Sequence, residues 1–268
     1  MYKIGFIGCG HMGEAMLSGL LKAQWTAKEE VFVSTKTKDR SLFLQNTYGV
    51  HIANTNIEVA RHSDVLILAV KPNMYASVIE EIKSDLRKET ILVSITPSFS
   101  LAALQALVDN RCQVVRTMPN TPAMVGYGFT GISFLEDASS QNKEFITSLF
   151  QSFGQVLIVE EKYMPMIGTL SGSGPAFVDY LMKAFVDYGT AKGLEEETAK
   201  NIVLETFLGA VLLAKQSNES LDTLIKNVCS PGGSTIAGIH AMENRQINEQ
   251  IQDSIDQTTV RFLEMSQR

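Results

Sequence analysis

The sequence predicts an α/β fold in its N-terminal part, built on a doubly wound and mainly parallel sheet, followed by an all-helical C-terminal part. Over the first 160 residues, short β-branched runs alternate with helix-like segments, which is the order that builds βαβ units. After residue 161 the strand signals stop and the periodic segments have helical spacing. The 268 residues, at about 150 per domain, correspond to just under two domains. We therefore predict domains over residues 1–161 and 162–268.

Each domain has its own series of predicted elements. The N-terminal strands are predicted at residues 3–8, 31–34, 65–70, 90–95, 113–116, 131–134 and 155–159, with helices at 12–24, 38–47, 73–86, 100–108 and 140–152. The C-terminal helices are predicted at 164–170, 175–192, 196–216, 220–228, 233–243 and 245–265. Two of them, 175–192 and 196–216, carry apolar faces wider than so small a domain would bury by itself. These faces predict a homodimer that pairs through the helical domain.

Composition and charge argue against several classes of function. Lys and Arg number 23 against 29 Asp and Glu, a net charge of −6, and no long basic run offers a surface for nucleic acid. No uninterrupted apolar stretch reaches the roughly 20 residues of a membrane span, and glycines interrupt the apolar N-terminus before a signal-peptide core develops. Cys9, Cys112 and Cys229 have no CxxC spacing, and the histidines and carboxylates have no metal-ligand spacing. We expect a cytoplasmic protein without a membrane, nucleic-acid or metal partner.

The first motif is the run GCGHMG at residues 8–13, which leaves a predicted strand and enters a predicted helix. In a GxGxxG loop of this kind, Gly8 permits the tight turn, Gly10 lets a pyrophosphate approach the backbone, and Gly13 lets helix and strand pack closely. The phosphates then face the positive end of the helix dipole. The motif in this position predicts a Rossmann-type dinucleotide site; the alternative is a glycine turn with a structural role alone.

The end of the second predicted strand indicates which dinucleotide binds. Sites that prefer NAD usually place a carboxylate there to bond the ribose 2′-hydroxyl, whereas this chain has VSTKTK at 33–38. Hydroxyls and Lys36 suit a 2′-phosphate, which they would bind by charge-assisted hydrogen bonds. We therefore expect NADP as the cofactor, with NADPH preferred and NADH as an alternative. The competing interpretation is that Lys36 and Lys38 are simply solvated.

Two further segments close predicted strands, AVKP at 69–72 and RTMPNTP at 116–122. Ligands of open α/β sheets bind outside the carboxyl ends of the strands, so both segments are placed to border the nicotinamide half of the cofactor. Their prolines are equally consistent with plain strand termination. The position of the segments therefore leaves both interpretations open.

The C-terminal part contains two small-residue segments, LSGSGP at 170–175 and CSPGGSTIAG at 229–238, each expected to be a turn that opens a helix. The free backbone N–H groups and the dipole of such a helix start suit a small carboxylate. The alternative is capping, with Ser171 or Ser173 as N-cap of the first helix and Ser230 or Ser234 as N-cap of the second.

Taken together and in this order, these segments resemble pyrroline-5-carboxylate reductase, and the PGGST run at 231–235 is the most specific of them. The resemblance implies hydride transfer from NAD(P)H to the C=N carbon of 1-pyrroline-5-carboxylate, the small-molecule substrate, giving L-proline in the last step of proline biosynthesis. It assigns catalysis to Thr235, whose hydroxyl bonds the ring nitrogen, and the substrate carboxylate to the backbone of Gly232, Gly233 and Ser234. It also assigns Asn120 to the substrate.

The resemblance likewise implies the cofactor contacts and the assembly. It assigns the phosphates of the cofactor to Gly8, Gly10, His11, Met12 and Gly13. It assigns the adenosine ribose to Ser34, Lys36 and Asn56. It assigns the nicotinamide side to Ala69, Val70, Lys71, Pro72, Pro97 and Glu161. Members of the family dimerise by interlocking helices and often assemble further, so each active site is expected to draw on two chains. One departure is Asn218, which stands where the family commonly has an acidic residue; Glu219 is the nearest carboxylate that would replace it.

Two alternatives share part of this pattern. A β-hydroxyacid dehydrogenase or imine reductase has the same two-domain plan, but the hydroxyacid enzymes place a lysine one helical turn after the glycine segment, where this chain has Val178 and Asp179. The other alternative is a non-catalytic dinucleotide-binding regulator. The intact PGGST run, with Thr235, argues against it.

Overall fold

The computed structural model describes residues 2–266, and these form two compact units. The first comprises the described residues up to Ser173 together with those from Thr258 onward, and the second comprises Gly174–Gln257. The strands end at Ile158, just before the boundary predicted at residue 161. The predicted fold class, a doubly wound sheet followed by helices, is confirmed.

The first unit is built on one eight-stranded sheet in the order β3-β2-β1-β4-β5-β6-β7-β8. The strands are β1 (Ile4–Ile7), β2 (Val31–Ser34), β3 (His51–Ile52), β4 (Val65–Leu68), β5 (Ile91–Ser94), β6 (Gln113–Met118), β7 (Gly128–Phe134) and β8 (Gly154–Ile158). Every neighbouring pair is parallel except β6 and β7, which run antiparallel. The first six strands therefore have the order typical of a Rossmann fold, and the two most C-terminal strands extend it.

Helices cover both faces of this sheet. They are α1 (His11–Lys22), α2 (Lys38–Tyr48), α3 (Asn56–His62), α4 (Tyr75–Ile82), α5 (Leu101–Leu107), α6 (Ser140–Gln151) and α7 (Met164–Ile167). Strands β1, β4 and β5 are buried at every residue, as expected of central parallel strands that are covered on both sides. One core packs α1, α2 and α6 on one face, and the other packs α3, α4 and α5 on the opposite face.

Three elements of this unit differ from the sequence prediction. Strand β3 and helix α3 were not predicted, and the predicted helix 73–86 is a shorter α4 between two 3₁₀ turns, Pro72–Met74 and Lys83–Asp85. Helix α3 starts with a side-chain cap, in which the Thr55 hydroxyl accepts a hydrogen bond from the Glu58 N–H at 3.1 Å. The helix has 7 residues, about two turns, which is too short for its apolar periodicity to stand out.

The second unit consists of α8 (Gly174–Ala191), α9 (Glu196–Gln216), α10 (Leu221–Val228), α11 (Ser234–Asn244) and the first half of α12 (Ile247–Ser266). Within its described residues, Ala199 and Val203 are the apolar side chains that are buried. Many large apolar side chains lie on its surface instead, including Tyr180 at 77% exposure and Leu221 at 69%. Such an apolar surface exceeds what an isolated helical unit normally presents to water.

Candidate active site

The glycine loop has the conformation that its sequence predicted. Gly8 follows β1 with a φ of +77°, in the left-handed region, and its N–H donates to the Ser34 carbonyl at 2.9 Å. A Cβ added at Gly8 would lie 2.7 Å from Val70 Cγ1 and 2.9 Å from the Ala69 carbonyl oxygen. Only glycine is therefore compatible with this turn, which follows β1 and packs against the segment after β4.

The next two glycines have different requirements. A Cβ at Gly13 would lie 3.1 Å from Ala69 Cβ, so this glycine permits close packing of α1 on the residue that follows β4. A Cβ at Gly10 would meet no protein atom within 4 Å, and the φ of Gly10 is an ordinary −73°. Gly10 is the N-cap of α1, and no side chain caps the helix there. The free N–H groups at this helix start and the open side of Gly10 fit a pyrophosphate.

The ribose end of the predicted site brings Ser34 and Asn56 together. The Ser34 hydroxyl, at the end of β2, donates to Asn56 Oδ1 at 2.7 Å, and Asn56 Nδ2 donates to Glu81 Oε2 at 2.8 Å. Thr35 Oγ1 donates to the Thr37 carbonyl at 3.0 Å. Lys36 is exposed, as its predicted contact with a phosphate requires.

Sequence reasoning missed Arg40, which lies under the glycine loop. Its Nε donates to the Cys9 carbonyl at 2.7 Å, and its Nη2 forms an ion pair with Glu14, which also accepts from the Tyr48 hydroxyl at 2.8 Å. Burial opposes ionisation of Glu14, but the hydrogen bonds from Arg40 and Tyr48 prevail and lower its pKa. Burial raises the pKa of the Cys9 thiol to about 12. No local sequence motif identifies Arg40 as part of the site, because its partners lie 26 to 31 residues away along the chain.

On the predicted nicotinamide side, Tyr75 joins the ends of two strands. Its hydroxyl donates to the Leu68 carbonyl at the end of β4 and accepts from the Ile95 N–H after β5 at 3.3 Å. Its ring stacks on Phe99 with centroids 5.4 Å apart. Burial raises the pKa of Tyr75 to about 12, so the hydroxyl stays neutral. The segments 69–72 and 95–99, which contain most of the predicted nicotinamide contacts, are thus held by one buried side chain.

Pro97 and Glu161, both predicted on the nicotinamide side, are joined through Arg116 on β6. Arg116 Nη2 donates to the Pro97 carbonyl at 2.8 Å, and Nη1 donates to Glu161 Oε1 at 2.7 Å. The same carboxylate oxygen accepts from the N–H of Leu101, the first residue of α5, at 2.7 Å. Glu161 therefore supports this loop through hydrogen bonds.

The segment 170–175 differs from its prediction. It is not a turn that opens a helix: α7 continues through a π-helical stretch, Gly168–Ser173, directly into α8, so Ser171 and Ser173 cap nothing. Asn120 Nδ2 donates to both the carbonyl and the hydroxyl oxygen of Ser171 at 3.1 Å, and Asn120 Oδ1 accepts from the Phe129 N–H at 2.8 Å. The amide of Asn120 is thus engaged with protein groups, and its predicted role toward the substrate stays a prediction.

The PGGST run forms the predicted turn in the second unit. The Gly233 N–H donates to the Ser230 carbonyl at 3.0 Å, and Gly232 has a φ of +73°, which with Pro231 before it gives a type II turn. Helix α11 begins at Ser234 without a side-chain cap, so neither Ser230 nor Ser234 serves as one. Thr235 is exposed in its first turn. The free N–H groups at the start of α11 fit a carboxylate.

Other predictions concern what is absent. Among the described residues no group of three or more metal-ligating side chains occurs, and no helix there is long and apolar enough to cross a bilayer. His51 and His62 each stack on the Phe32 ring, with ring centroids 5.1 and 5.2 Å from that of Phe32. Glu219, the nearest carboxylate to Asn218, accepts a hydrogen bond from Asn227 Nδ2 at 3.0 Å.

Comparison with known proteins covers both units. Residues 161–265 match the family model for pyrroline-5-carboxylate reductase dimerisation, and residues 3–98 match the model for NADP oxidoreductase, coenzyme F420-dependent. Pyrroline-5-carboxylate reductase 2 of Bacillus subtilis is 32% identical over 269 residues, covering 100% of this chain and 96% of the relative. Pyrroline-5-carboxylate reductase of Escherichia coli is 30% identical over 243 residues, covering 91% and 90%.

Solved structures give the same result. A crystal structure of Plasmodium falciparum pyrroline carboxylate reductase with NADP bound superposes with a TM-score of 0.91 at 31% identity, covering 98% of each chain. The enzyme from Coxiella burnetii superposes with a TM-score of 0.89 at 30% identity, covering 99% of this chain and 98% of that one. A 3-hydroxyisobutyrate dehydrogenase, from the hydroxyacid class weighed above, is 13% identical with a TM-score of 0.53, a likeness of fold alone.

Proposed function

The chain belongs to the pyrroline-5-carboxylate reductase family, and on that premise we propose that it reduces the C=N bond of 1-pyrroline-5-carboxylate to give L-proline. The observation that carries the proposal is an alignment with a reductase over 100% of the chain, which therefore includes both the glycine loop and the PGGST turn. A nicotinamide cofactor supplies the hydride when it is bound. The residues of the chain supply binding and orientation.

The phosphates of the cofactor are assigned to the start of α1. The N–H groups of His11, Met12 and Gly13 have no side-chain cap, and the open side of Gly10 leaves the backbone accessible. A preference for NADPH over NADH is assigned to the exposed Lys36 beside the hydroxyls of Ser34 and Thr35. An ammonium group gains a charge-assisted hydrogen bond from a 2′-phosphate that it does not gain from a 2′-hydroxyl.

The substrate is assigned to the PGGST turn. Its carboxylate would accept from the free backbone N–H groups of Ser234 and Thr235 at the start of α11, where the helix dipole favours negative charge. The Gly233 N–H is already bonded to the Ser230 carbonyl and shapes the turn instead. The Thr235 hydroxyl would bond the ring nitrogen and so orient the C=N carbon. A cyclic imine that binds already protonated brings its own proton, so Thr235 needs to orient the nitrogen but not to act as an acid. This division of roles suits a turn without strong acids or bases.

A homodimer is assigned to the second unit. Its long helices α8 and α9 expose Phe185, Tyr188, Leu208 and Val211 at 50% or more, and all of these except Leu208 lie on the apolar faces that the sequence predicted. Burial of such faces against a second copy would stabilise the helices by about 25 cal/mol for each Å² removed from water. Assembly beyond a dimer and the cytoplasmic location stay predictions.

The reaction is tested with purified protein and synthetic pyrroline-5-carboxylate. NADPH oxidation is followed by absorbance, NADH is run in parallel, and proline is quantified as the product. Turnover to proline in proportion to NADPH consumed supports the reaction, and the ratio of kcat/KM values gives the cofactor preference. Tight NADPH binding without proline formation would favour the regulator or a reductase of another imine.

A further inference from the structure

We propose that the Arg116–Glu161 ion pair is a positioning device, which holds the loop at residues 95–100 in the conformation that receives the nicotinamide. The proposal rests on the proposed function, because that function places Pro97 beside the nicotinamide. Arg116 itself is assigned no contact with cofactor or substrate. It acts through the loop.

The ion pair restrains this loop at two points. Arg116 Nη2 donates to the Pro97 carbonyl at 2.8 Å, in the middle of the loop. Arg116 Nη1 and the Leu101 N–H both donate to Glu161 Oε1, each at 2.7 Å, where the loop enters α5. One guanidinium and one carboxylate therefore fix both the centre and the end of the loop to β6 and to the chain that follows β8.

The burial of Arg116 indicates that stability is not why an arginine stands here. Its side chain is 4% exposed, and its buried Nε has no hydrogen-bond partner among the described residues. Burying a guanidinium with one N–H unpaired costs free energy, and a buried ion pair is often no more stable than apolar residues of the same size. What arginine offers is two rigidly spaced donors, which reach Pro97 and Glu161 together.

Other restraints keep the rest of the loop in place when this pair is altered. The Tyr75 hydroxyl accepts from the Ile95 N–H at 3.3 Å, the Tyr75 ring stacks on Phe99, and the Ser100 hydroxyl caps α5 by accepting from the Ala103 N–H at 3.1 Å. Loss of the Arg116 bonds therefore releases the segment around Pro97 without freeing the ends. A lysine at 116 keeps the charge but cannot bond both acceptors, so it tests geometry separately from charge.

The test compares two ligands that differ by the nicotinamide. NADPH is titrated against the wild type, R116K and E161Q, and 2′-phospho-ADP-ribose, which has the same adenosine and phosphate groups without the nicotinamide, is titrated in parallel. We expect R116K to raise the Kd of NADPH about tenfold, equivalent to ~1.4 kcal/mol, and E161Q to raise it about threefold. The Kd of the fragment should stay within about twofold of the wild type.

The matched control is R87K. Arg87 also bonds a backbone carbonyl and a carboxylate, Ser63 and Asp64 at 2.8 Å each, but just before β4 begins, at the end of the sheet opposite the glycine loop. R87K should leave both Kd values unchanged. Equal weakening of both ligands by R116K would show a general disturbance of the fold, and unchanged NADPH binding would show that the loop needs no such restraint; either result overturns the proposal.

A kinetic isotope effect provides the second readout. With NADPH deuterated at the transferred position, a poorly oriented nicotinamide makes hydride transfer slower relative to the other steps, so R116K should show a larger isotope effect on kcat than the wild type. Partial unfolding would lower the active fraction and leave the isotope effect unchanged. If the wild type does not reduce pyrroline-5-carboxylate at all, the proposed function fails, while the comparison of the two ligands still decides the positioning role.

Discussion

The glycine loop allows two neighbouring substitutions with opposite predicted effects. In Gly10→Ala, the added methyl meets no protein atom within 4 Å, and the φ of −73° suits alanine. The free energy of unfolding should therefore change by less than about 0.5 kcal/mol, or rise slightly because the unfolded chain loses freedom. In Gly8→Ala, the φ of +77° costs about 1–2 kcal/mol, and the methyl also lies 2.9 Å from the Ala69 carbonyl oxygen. We expect a total destabilisation of about 3 kcal/mol.

Cofactor affinity should instead be lost in Gly10→Ala, the variant whose stability is nearly unchanged. The methyl of Gly10→Ala would occupy the space assigned to the pyrophosphate, and overpacking of that kind costs about 1–3 kcal/mol, which weakens NADPH binding by roughly 5- to 150-fold. Urea unfolding gives the stabilities and fluorescence titration gives the Kd. Wild-type NADPH affinity in Gly10→Ala would refute the placement of the pyrophosphate. Destabilisation of Gly10→Ala as large as that of Gly8→Ala would refute the geometry of the loop.

Four further predictions test separate parts of the molecule. Lys36→Asp should raise the KM of NADPH at least tenfold more than that of NADH, because a carboxylate repels a 2′-phosphate, and an unchanged ratio of the two KM values would remove Lys36 from the site. Thr235→Val, which keeps the shape of the side chain, should lower kcat about tenfold or more and leave the NADPH Kd unchanged; full turnover would remove Thr235 from the mechanism. Leu208→Glu should convert a dimer to monomer in light scattering, while Lys200→Glu on the same helix should not. Glu14 has a lowered pKa, so it stabilises the fold above its ordinary value of 4.5 and loses this contribution as pH falls below it; the stability difference from Glu14→Gln, about 1 kcal/mol at neutral pH, should shrink toward pH 3 in urea unfolding.

Sequence patterns predicted the elements whose signals are local. Strand β2 has the predicted bounds because its β-branched run is bordered by a charged turn on either side. Strand β3 was missed because two residues carry no periodicity. Helix α3 was also missed, although Thr55 and Glu58 form a capping pair that the sequence displays. Attention to capping residues would have found it.

The features that the sequence could not predict depend on distant partners. The π-helical stretch contains Ser171, Gly172 and Ser173, which locally favour a turn; the helix continues because Asn120 bonds Ser171 and the Thr169 hydroxyl bonds the Pro165 carbonyl. Arg116 and Glu161 lie 45 residues apart, and no spacing rule connects them. The family resemblance, by contrast, rested on short motifs and is confirmed over the full chain.

The cysteine inside the glycine loop has a consequence for redox chemistry. The thiolate is the form that oxidants and alkylating agents attack, and burial raises the pKa of Cys9 to about 12, so at neutral pH this side chain is almost entirely the neutral thiol. Its side chain is also buried in the core beneath α1. Modification of Cys9 therefore requires the loop to open, so the rate of its alkylation measures how often the loop unfolds locally. A cofactor bound to the loop should slow that rate in proportion to its occupancy, which makes Cys9 an internal reporter of the dinucleotide site.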